Sequence, residues 1–244
     1  GVLDKADAFP LDSTEALDTD GDGVGNNADK DDDGDGVPDA SEVGYGTDPL
    51  RSDTDGDTLP DGWEIDKSRD PLVADYQVSA GYFHTCALDD TGVQCWGGND
   101  EGQTTVPPLS NPVQVSAGRH TCGLDDAGVQ CWGRNFSGQT NVPPLSNPVQ
   151  VSAGYYHTCA LDDTGVQCWG WNEYGQIDVP ALSNPVQVSA GYLHTCALDD
   201  TGVQCWGRNV DGQTTVPALS NPVQVSTGLY HTCALDDAGV QCWG

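Results

Sequence analysis

The sequence predicts a mainly β chain in two parts. Acidic loops wound on calcium ions fill residues 1–75, and an array of five disulfide-stapled hairpin repeats fills residues 76–244. Three observations lead there. The stretch DTDGDGVGNNADKDDDGDGVPDASEV, residues 18–43, has an aspartate at nearly every second position. The segment VSAG or VSTG returns at Val78, Val115, Val151, Val188 and Val225, a period of 37 residues with one of 36. The 10 cysteines fall two to a repeat at one fixed spacing.

So many like charges in one short segment repel, and a cation must neutralise them. Asp18, Asp20, Asp22, Val24, Asn26 and Asp29 stand at positions 1, 3, 5, 7, 9 and 12 of a calcium loop. Asp31, Asp33, Asp35, Val37, Asp39 and Glu42 repeat that spacing, and Asp53, Asp55, Asp57, Leu59, Asp61 and Glu64 give a third copy. Position 7 offers a backbone carbonyl and position 12 a carboxylate able to bind through both oxygens. Gly23 and Gly36 fill the sixth position, where the chain turns sharply; Thr58 replaces glycine in the third copy. A solvated acidic tail would not keep a twelve-residue ligand spacing three times. Magnesium rarely takes an all-protein cage. Only Lys30 separates the first two loops, which leaves no room for the helix pairs of EF-hands. A short helix is expected only after the third loop, around Gly62–Ser68, before Pro71.

Residues 1–75 thus resemble bacterial thrombospondin type 3 repeats, with Phe9-Pro10-Leu11-Asp12 and Gly46-Thr47-Asp48-Pro49 matching further family signatures. The resemblance implies a calcium-loop rod, backbone wrapped around a line of three or more Ca2+ ions with almost no apolar core. It also fits Gly1–Asp7, with Asp4 and Asp7 as ligands, to the second half of a loop, so the sequence is expected to begin inside a repeat of a processed or longer chain.

The formal charge is −30, of which about 18 units lie in residues 1–75, 23 acids less 5 bases. Nucleic acid and anionic membranes are poor partners for such a chain. No apolar run is long enough to span a membrane. Folding of the acidic part is expected to depend on metal, at the roughly 0.1–1 mM affinity of extracellular calcium modules.

Within each later repeat, HTCALDDTGVQCWG reads as a β-hairpin about the turn Asp89-Asp90-Thr91-Gly92. Pairing Leu88 with Val93 sets Cys86 opposite Cys95, within disulfide reach. The same arithmetic gives Cys122–Cys131, Cys159–Cys168, Cys196–Cys205 and Cys233–Cys242. Zinc thiolates would want a C-x2-C spacing that is absent. Five bridges place the chain in an oxidising compartment, extracellular or at a cell surface. His84, Cys86, Leu88, Val93 and Cys95 share one face; Thr85, Ala87 and Trp96 share the other. Both faces are apolar or small, so both should be covered, as in blades stacked around an axis.

The AG-x-x-H strand followed by a WG strand resembles the regulator of chromosome condensation repeat, in five copies over residues 76–244. That resemblance implies a β-propeller-type array, usually of seven blades, although intracellular members need no cysteine pair.

His84, His120, His157, His194 and His231 occupy one repeat position. They are read as bonding the backbone of their own blades rather than as a ring of metal ligands. The repeat tryptophans are read as core. Near-identical repeats supply every candidate nucleophile five times over, so no enzyme is expected. The repeats differ at Tyr82, Phe83, Arg119, Tyr155, Tyr156, Tyr192, Leu193, Leu229 and Tyr230, beside the hairpin entry. They differ again at Asp100-Glu101, Phe136-Ser137, Trp171, Glu173-Tyr174 and Val210-Asp211. Exposed aromatics with arginine are the chemistry of protein-binding hot spots. These residues point to a protein partner, by self-assembly or at a surface. The expected function is that of an extracellular structural or adhesive protein, a fibre subunit among the possibilities. A secreted recognition module and a non-catalytic appendage of a larger secreted protein are the alternatives.

Overall fold

The computed structural model describes residues 8–9, 16–55, 60–66, 69–72, 76–89 and 91–244. The chain divides into two compact units, Gly1–Tyr76 and Gln77–Gly244.

In the first unit the chain closes the same loop three times. The position-9 amide donates to the carbonyl just before position 1: Asn26 to Leu17, Asp39 to Lys30 and Asp61 to Ser52, at 2.9–3.0 Å. Two short helices start at position 9, α1 (Asp39–Tyr45) and α2 (Asp61–Asp66). The sequence reading placed a helix near α2 but none at α1. What forms α1 is an extended Pro38 N-cap, acids Asp39 and Glu42 in the first turn, and Gly46 in a left-handed C-cap donating to the Glu42 carbonyl. Val37 is the one buried hydrophobic residue among the described residues of this unit, whereas Asp33, Glu42, Asp61 and Glu64 are buried. Its interior is carboxylate.

The second unit contains five three-stranded antiparallel sheets. They are β1 (Gln77–Ala80), β2 (His84–Asp89), β3 (Gly92–Gly97); β4 (Gln114–Ala117), β5 (His120–Asp125), β6 (Gly128–Gly133); β7 (Gln150–Ala153), β8 (His157–Asp162), β9 (Gly165–Gly170); β10 (Gln187–Ala190), β11 (His194–Asp199), β12 (Gly202–Gly207); and β13 (Gln224–Thr227), β14 (Thr232–Asp236), β15 (Gly239–Trp243). The hairpin register is the expected one, Leu88 opposite Val93 and Cys86 opposite Cys95. All five disulfides close within their own hairpins, with Cα atoms 4.0–4.1 Å apart. The hairpins turn on glycines such as Gly128, at φ 100°, where a side chain would be strained.

The core lies in the seams between sheets. Cys159, Leu161 and Val166 of the third sheet pack against Val188, Ala190, Ala197 and Trp206 of the fourth, with Val179 and Leu182 of the connecting segment filling the gap. Polar bonds run along every seam. Amides of each inner strand donate to Gln and Ser side chains of the preceding one, as Val115 to Gln77 and Ala117 to Ser79, over four seams at 2.7–3.0 Å.

The histidines correct the sequence reading. Their Nε2 atoms meet threonine hydroxyls of the next sheet: His84–Thr121, His120–Thr158, His157–Thr195 and His194–Thr232, at 2.7–3.0 Å. Those hydroxyls donate to the carbonyls of Gln103, Gln139, Gln176 and Gln213, which also accept from Trp132, Trp169, Trp206 and Trp243. Each threonine has one proton and gives it to glutamine, so each histidine must donate through Nε2. His231, just before β14 of the fifth sheet, is exposed. The tryptophans are core only where a preceding sheet covers them: Trp206 is 9% exposed and Trp96, in the first sheet, 54%.

Thr158→Val removes the acceptor of a fully buried imidazole N–H and should cost about 1–3 kcal/mol. Thr85→Val, in the first sheet, should stay within about 0.5 kcal/mol; denaturant titration of the two variants checks the contrast. Burial, then the neighbouring histidines, holds His120 and His157 down to about 3. The unfolded chain, at an ordinary value near 6.5, therefore takes up protons first. Stability from these groups should be complete above about pH 6.5 and fall towards pH 3, by up to about 1.4 kcal/mol per unit per histidine. Thermal midpoints of the second unit between pH 7 and 4 test this.

Candidate functional site

The first two acidic loops have one internal architecture. Asp18 accepts from Gly21 and Gly23, and Asp31 from Gly34 and Gly36. Asp20 accepts from Asp22 and Asp22 from Val24; Asp33 and Asp35 repeat this with Asp35 and Val37. These amide bonds bend the chain round its aspartates, so that the carboxylates converge. Ligand atoms of Asp18, Asp20 and Asp22 lie within 4.8 Å of one another, as do those of Asp31, Asp33 and Asp35. A third group joins Asp35 and Glu42 to Asp61 within the same limit.

Other expected ligands are engaged within their loops, and Asp61 is so engaged besides joining the third group. Position 9 holds position 2: Asn26, Asp39 and Asp61 accept from the amides of Thr19, Asp32 and Thr54. Asp29 does not join the first group; its carboxylate accepts from Lys30 and Asp31. Asp53, Asp55 and Glu64 fall in no converging group among the described residues. Asp4, Asp7, Asp57 and Leu59 lie outside the described residues. Val24 and Val37 stand at the seventh positions, Val37 buried and Val24 exposed.

Burial first, then the charges of neighbouring aspartates, raises Asp33 to about 6. Burial likewise raises Glu42 to about 7, with Asp33, Asp35 and Asp39 adding to it. Neither oxygen of Glu42 reaches hydrogen-bond geometry, and the nearby Thr47 hydroxyl is buried in the same condition. Desolvated, mutually repelling carboxylates cost several kcal/mol each unless something offsets them. Oxygen donors alone, in carboxylate-rich groups on turning loops, fit a hard divalent cation of calcium's size.

The second unit gathers its variable residues at one end. Tyr155 is the hub, with ring centroids 5.0 Å from Tyr82, 4.4 Å from Tyr156 and 4.7 Å from Tyr192. Arg119 donates to its hydroxyl at 2.6 Å and lies 4.8 Å from its ring centre. Trp171 bridges Tyr156 and Tyr174, and Tyr230 abuts Tyr192. A cavity of 320 Å³ is walled by Tyr82, Tyr155 and Tyr192 together with the Ala-Gly pairs, Thr227-Gly228 in the fifth sheet, at the ends of the inner strands. A Cβ on Gly118 would overlap the backbone oxygen of Gly154, so small residues are required there. Tyr82, Phe83, Tyr174 and Tyr230 are exposed, while Arg119, Tyr155, Tyr156, Trp171 and Tyr192 are half-buried within the cluster. Sequence reasoning missed Arg134, over Phe136 and paired with Glu101, and Arg208, over Tyr230 and 2.8 Å from Asp211. The signal was available: Arg119, Arg134 and Arg208 are the only lysine or arginine residues after residue 75. At the hairpin turns, paired aspartates bond Ser and Asn of the preceding loop, as Asp125 with Ser110 and Asp126 with Asn111.

The regulator of chromosome condensation (RCC1) repeat matches residues 76–103, 149–176 and 186–213. These matches do not reach residues 1–75, and the comparisons give no support to the thrombospondin type 3 repeats expected there. No curated protein matches the chain by sequence. Among solved structures, the ectodomain of the Physcomitrella patens receptor kinase CR4 is similar at 24% identity and a TM-score of 0.59, over 69% of this chain and 53% of that one. The CRINKLY WD40 ectodomain of the Arabidopsis thaliana receptor kinase ACR4 is similar at 27% identity and 0.58, over 70% and 71%. Prp20p of Saccharomyces cerevisiae, whose binding to Gsp1p and histones is described with its structure, is similar at 20% and 0.58, over 68% and 56%. The chain thus spans about half the length of the moss ectodomain and of the yeast protein. The second unit has the fold of an RCC1-type propeller array.

A Cβ on Gly62 would overlap the backbone oxygen of Asp35, whose side chain also accepts from the Gly62 amide at 2.9 Å. Gly62→Ala should therefore destabilise the first unit by about 1–3 kcal/mol, despite the roughly 1 kcal/mol that alanine adds to a helix. Limited proteolysis should show faster cutting before residue 72 and unchanged cutting beyond residue 77.

Proposed function

We propose that this chain is a non-catalytic extracellular protein in which calcium-bound loops accompany a propeller that recognises a protein through its aromatic end. One observation carries the recognition reading. On a scaffold of near-identical repeats, variation is concentrated in one contiguous cluster of tyrosine, tryptophan, phenylalanine and arginine, half of it exposed. Rigid aromatics beside arginine are what protein interfaces use as anchors. Likeness to two receptor ectodomains and to a yeast protein described as binding Gsp1p and histones supports a protein ligand. The five disulfides support an oxidising exterior, and no described helix is long and apolar enough to cross a membrane. The buried histidines are committed to threonine, which supports a binding rather than a chemical role.

A structural or adhesive role, with subunits joined into a fibre, is the alternative reading, and it would use two exposed sheet faces. The outer faces of the first and fifth sheets hold halves of the repeated seam: Val78 is 72% exposed against 1% for Val115, and Val240 70% against 7% for Val203. A strand or sheet of matching pattern would cover them.

A photo-crosslinker placed at Phe83 should capture a partner that one at the Asp163 turn does not. Tyr82→Ala with Tyr230→Ala should abolish that capture without altering the fold. Equal capture from both ends, or capture untouched by the double variant, contradicts the recognition reading. Concentration-dependent growth in light scattering, abolished by Val240→Lys, would establish the fibre reading instead.

A further inference from the structure

Ligand spacing assigns Asp31 to Glu42 to the second loop and Asp53 to Glu64 to the third. We infer that these two loops instead share a cation: Asp61 completes a site with Asp35 and Glu42 of the preceding loop, and Asp35 bridges that ion to the one held with Asp31 and Asp33. This rests on the reading of the acidic loops as cation sites.

Asp35 belongs to two converging groups, one wholly within its loop and one reaching Asp61, 26 residues on in the chain. Proximity of carboxylates alone would not make a site. The independent observation is Glu42, which is 0% exposed and whose two oxygens form no hydrogen bond of normal geometry, the Thr47 hydroxyl being a nearby polar group, while a ligand oxygen lies within 4.8 Å of those of Asp35 and Asp61. Neither ion pair recorded among the described residues involves any of the three.

The geometry is also held in place from outside. The Gly62 amide donates to Asp35, and only glycine permits that approach. Thr54 donates to Asp61 through its amide at 2.8 Å and its hydroxyl at 2.6 Å, fixing the carboxylate that crosses to the second loop. Because α2 starts at Asp61, the approach of this helix to the second loop sets the distance between donor sets. Among the His, Cys, Asp and Glu side chains of the described residues only carboxylates converge here, so the ligand class is a hard divalent cation, and a carboxylate has two oxygens with which to bridge a pair of such ions. The second and third loops would then gain and lose calcium as one unit.

The test compares Asp61→Asn with Asp53→Asn in the full chain, counting bound calcium by native mass spectrometry and mapping protection by limited proteolysis during chelator titration. Sharing predicts that Asp61→Asn loses one calcium and opens residues 31–47 at a free calcium concentration at least about 10-fold higher than in the parent, the scale set by even outer-sphere losses. Asp53→Asn should leave residues 31–47 protected, and Glu42→Gln should reproduce the effect of Asp61→Asn. If Asp61→Asn opens only residues 53–66, as Asp53→Asn does, ligands sort by loop and the inference fails while the cation reading stands. If the parent chain binds no calcium, both fail.

Discussion

A hairpin of some dozen residues cannot cover both of its own faces, and a loop of a dozen residues with four to six carboxylates cannot neutralise them. Incompleteness of the single repeat is the constraint on which both units depend. In the second unit the imidazole of His120 finds its acceptor in Thr158 of the next sheet, and the indole of Trp169 finds Gln139 behind it. In the first, the carboxylate of Asp35 and the amide of Gly62 meet across two loops. A repeat of either kind has little stability alone, as expected of arrays whose energy lies in nearest-neighbour interfaces.

The two units meet that constraint with opposite materials. Between sheets, apolar side chains and satisfied hydrogen bonds form an interior that stays neutral, with the disulfides limiting what each hairpin can do when unfolded. Between loops, the interior is Asp33, Glu42, Asp61 and Glu64, with Val37 as its apolar member. Calcium is the natural complement to such an interior, and its binding energy would be the folding energy of the segment. The cluster around Tyr155 follows from the first kind of interior. Once the seams are identical in every repeat, the strand ends are where sequence is free to vary.

Much of this was legible in the sequence because it is local. The offset from Cys86 to Cys95 fixes the strand register, and the spacing from Asp18 to Asp29 fixes the course of a loop. What crosses between repeats was not legible. The histidine ligand was expected within the blade because nothing in one repeat indicates that Thr121 of the next approaches His84. Trp96 was assigned to the core by analogy with its copies, yet exposure depends on a preceding neighbour rather than on the residue. Helix α1 was missed because the loops were read as too closely spaced for helices, although Asp39 to Gly46 leaves room for about two capped turns. Arg134 and Arg208 occupy the repeat position of Trp171, which was read as variable, but only the fold shows that arginine there lies over the rings of Tyr156 and Tyr230.

Scanning calorimetry across calcium and reductant concentrations tests the central claim, that the two units are stabilised by different means. The account predicts two transitions. One rises steadily with free calcium, as binding to a native state alone requires, and ignores reductant. The other falls on reduction of the five disulfides and ignores calcium. A single transition moved by both agents, or a calcium-independent transition for the acidic loops, would contradict it.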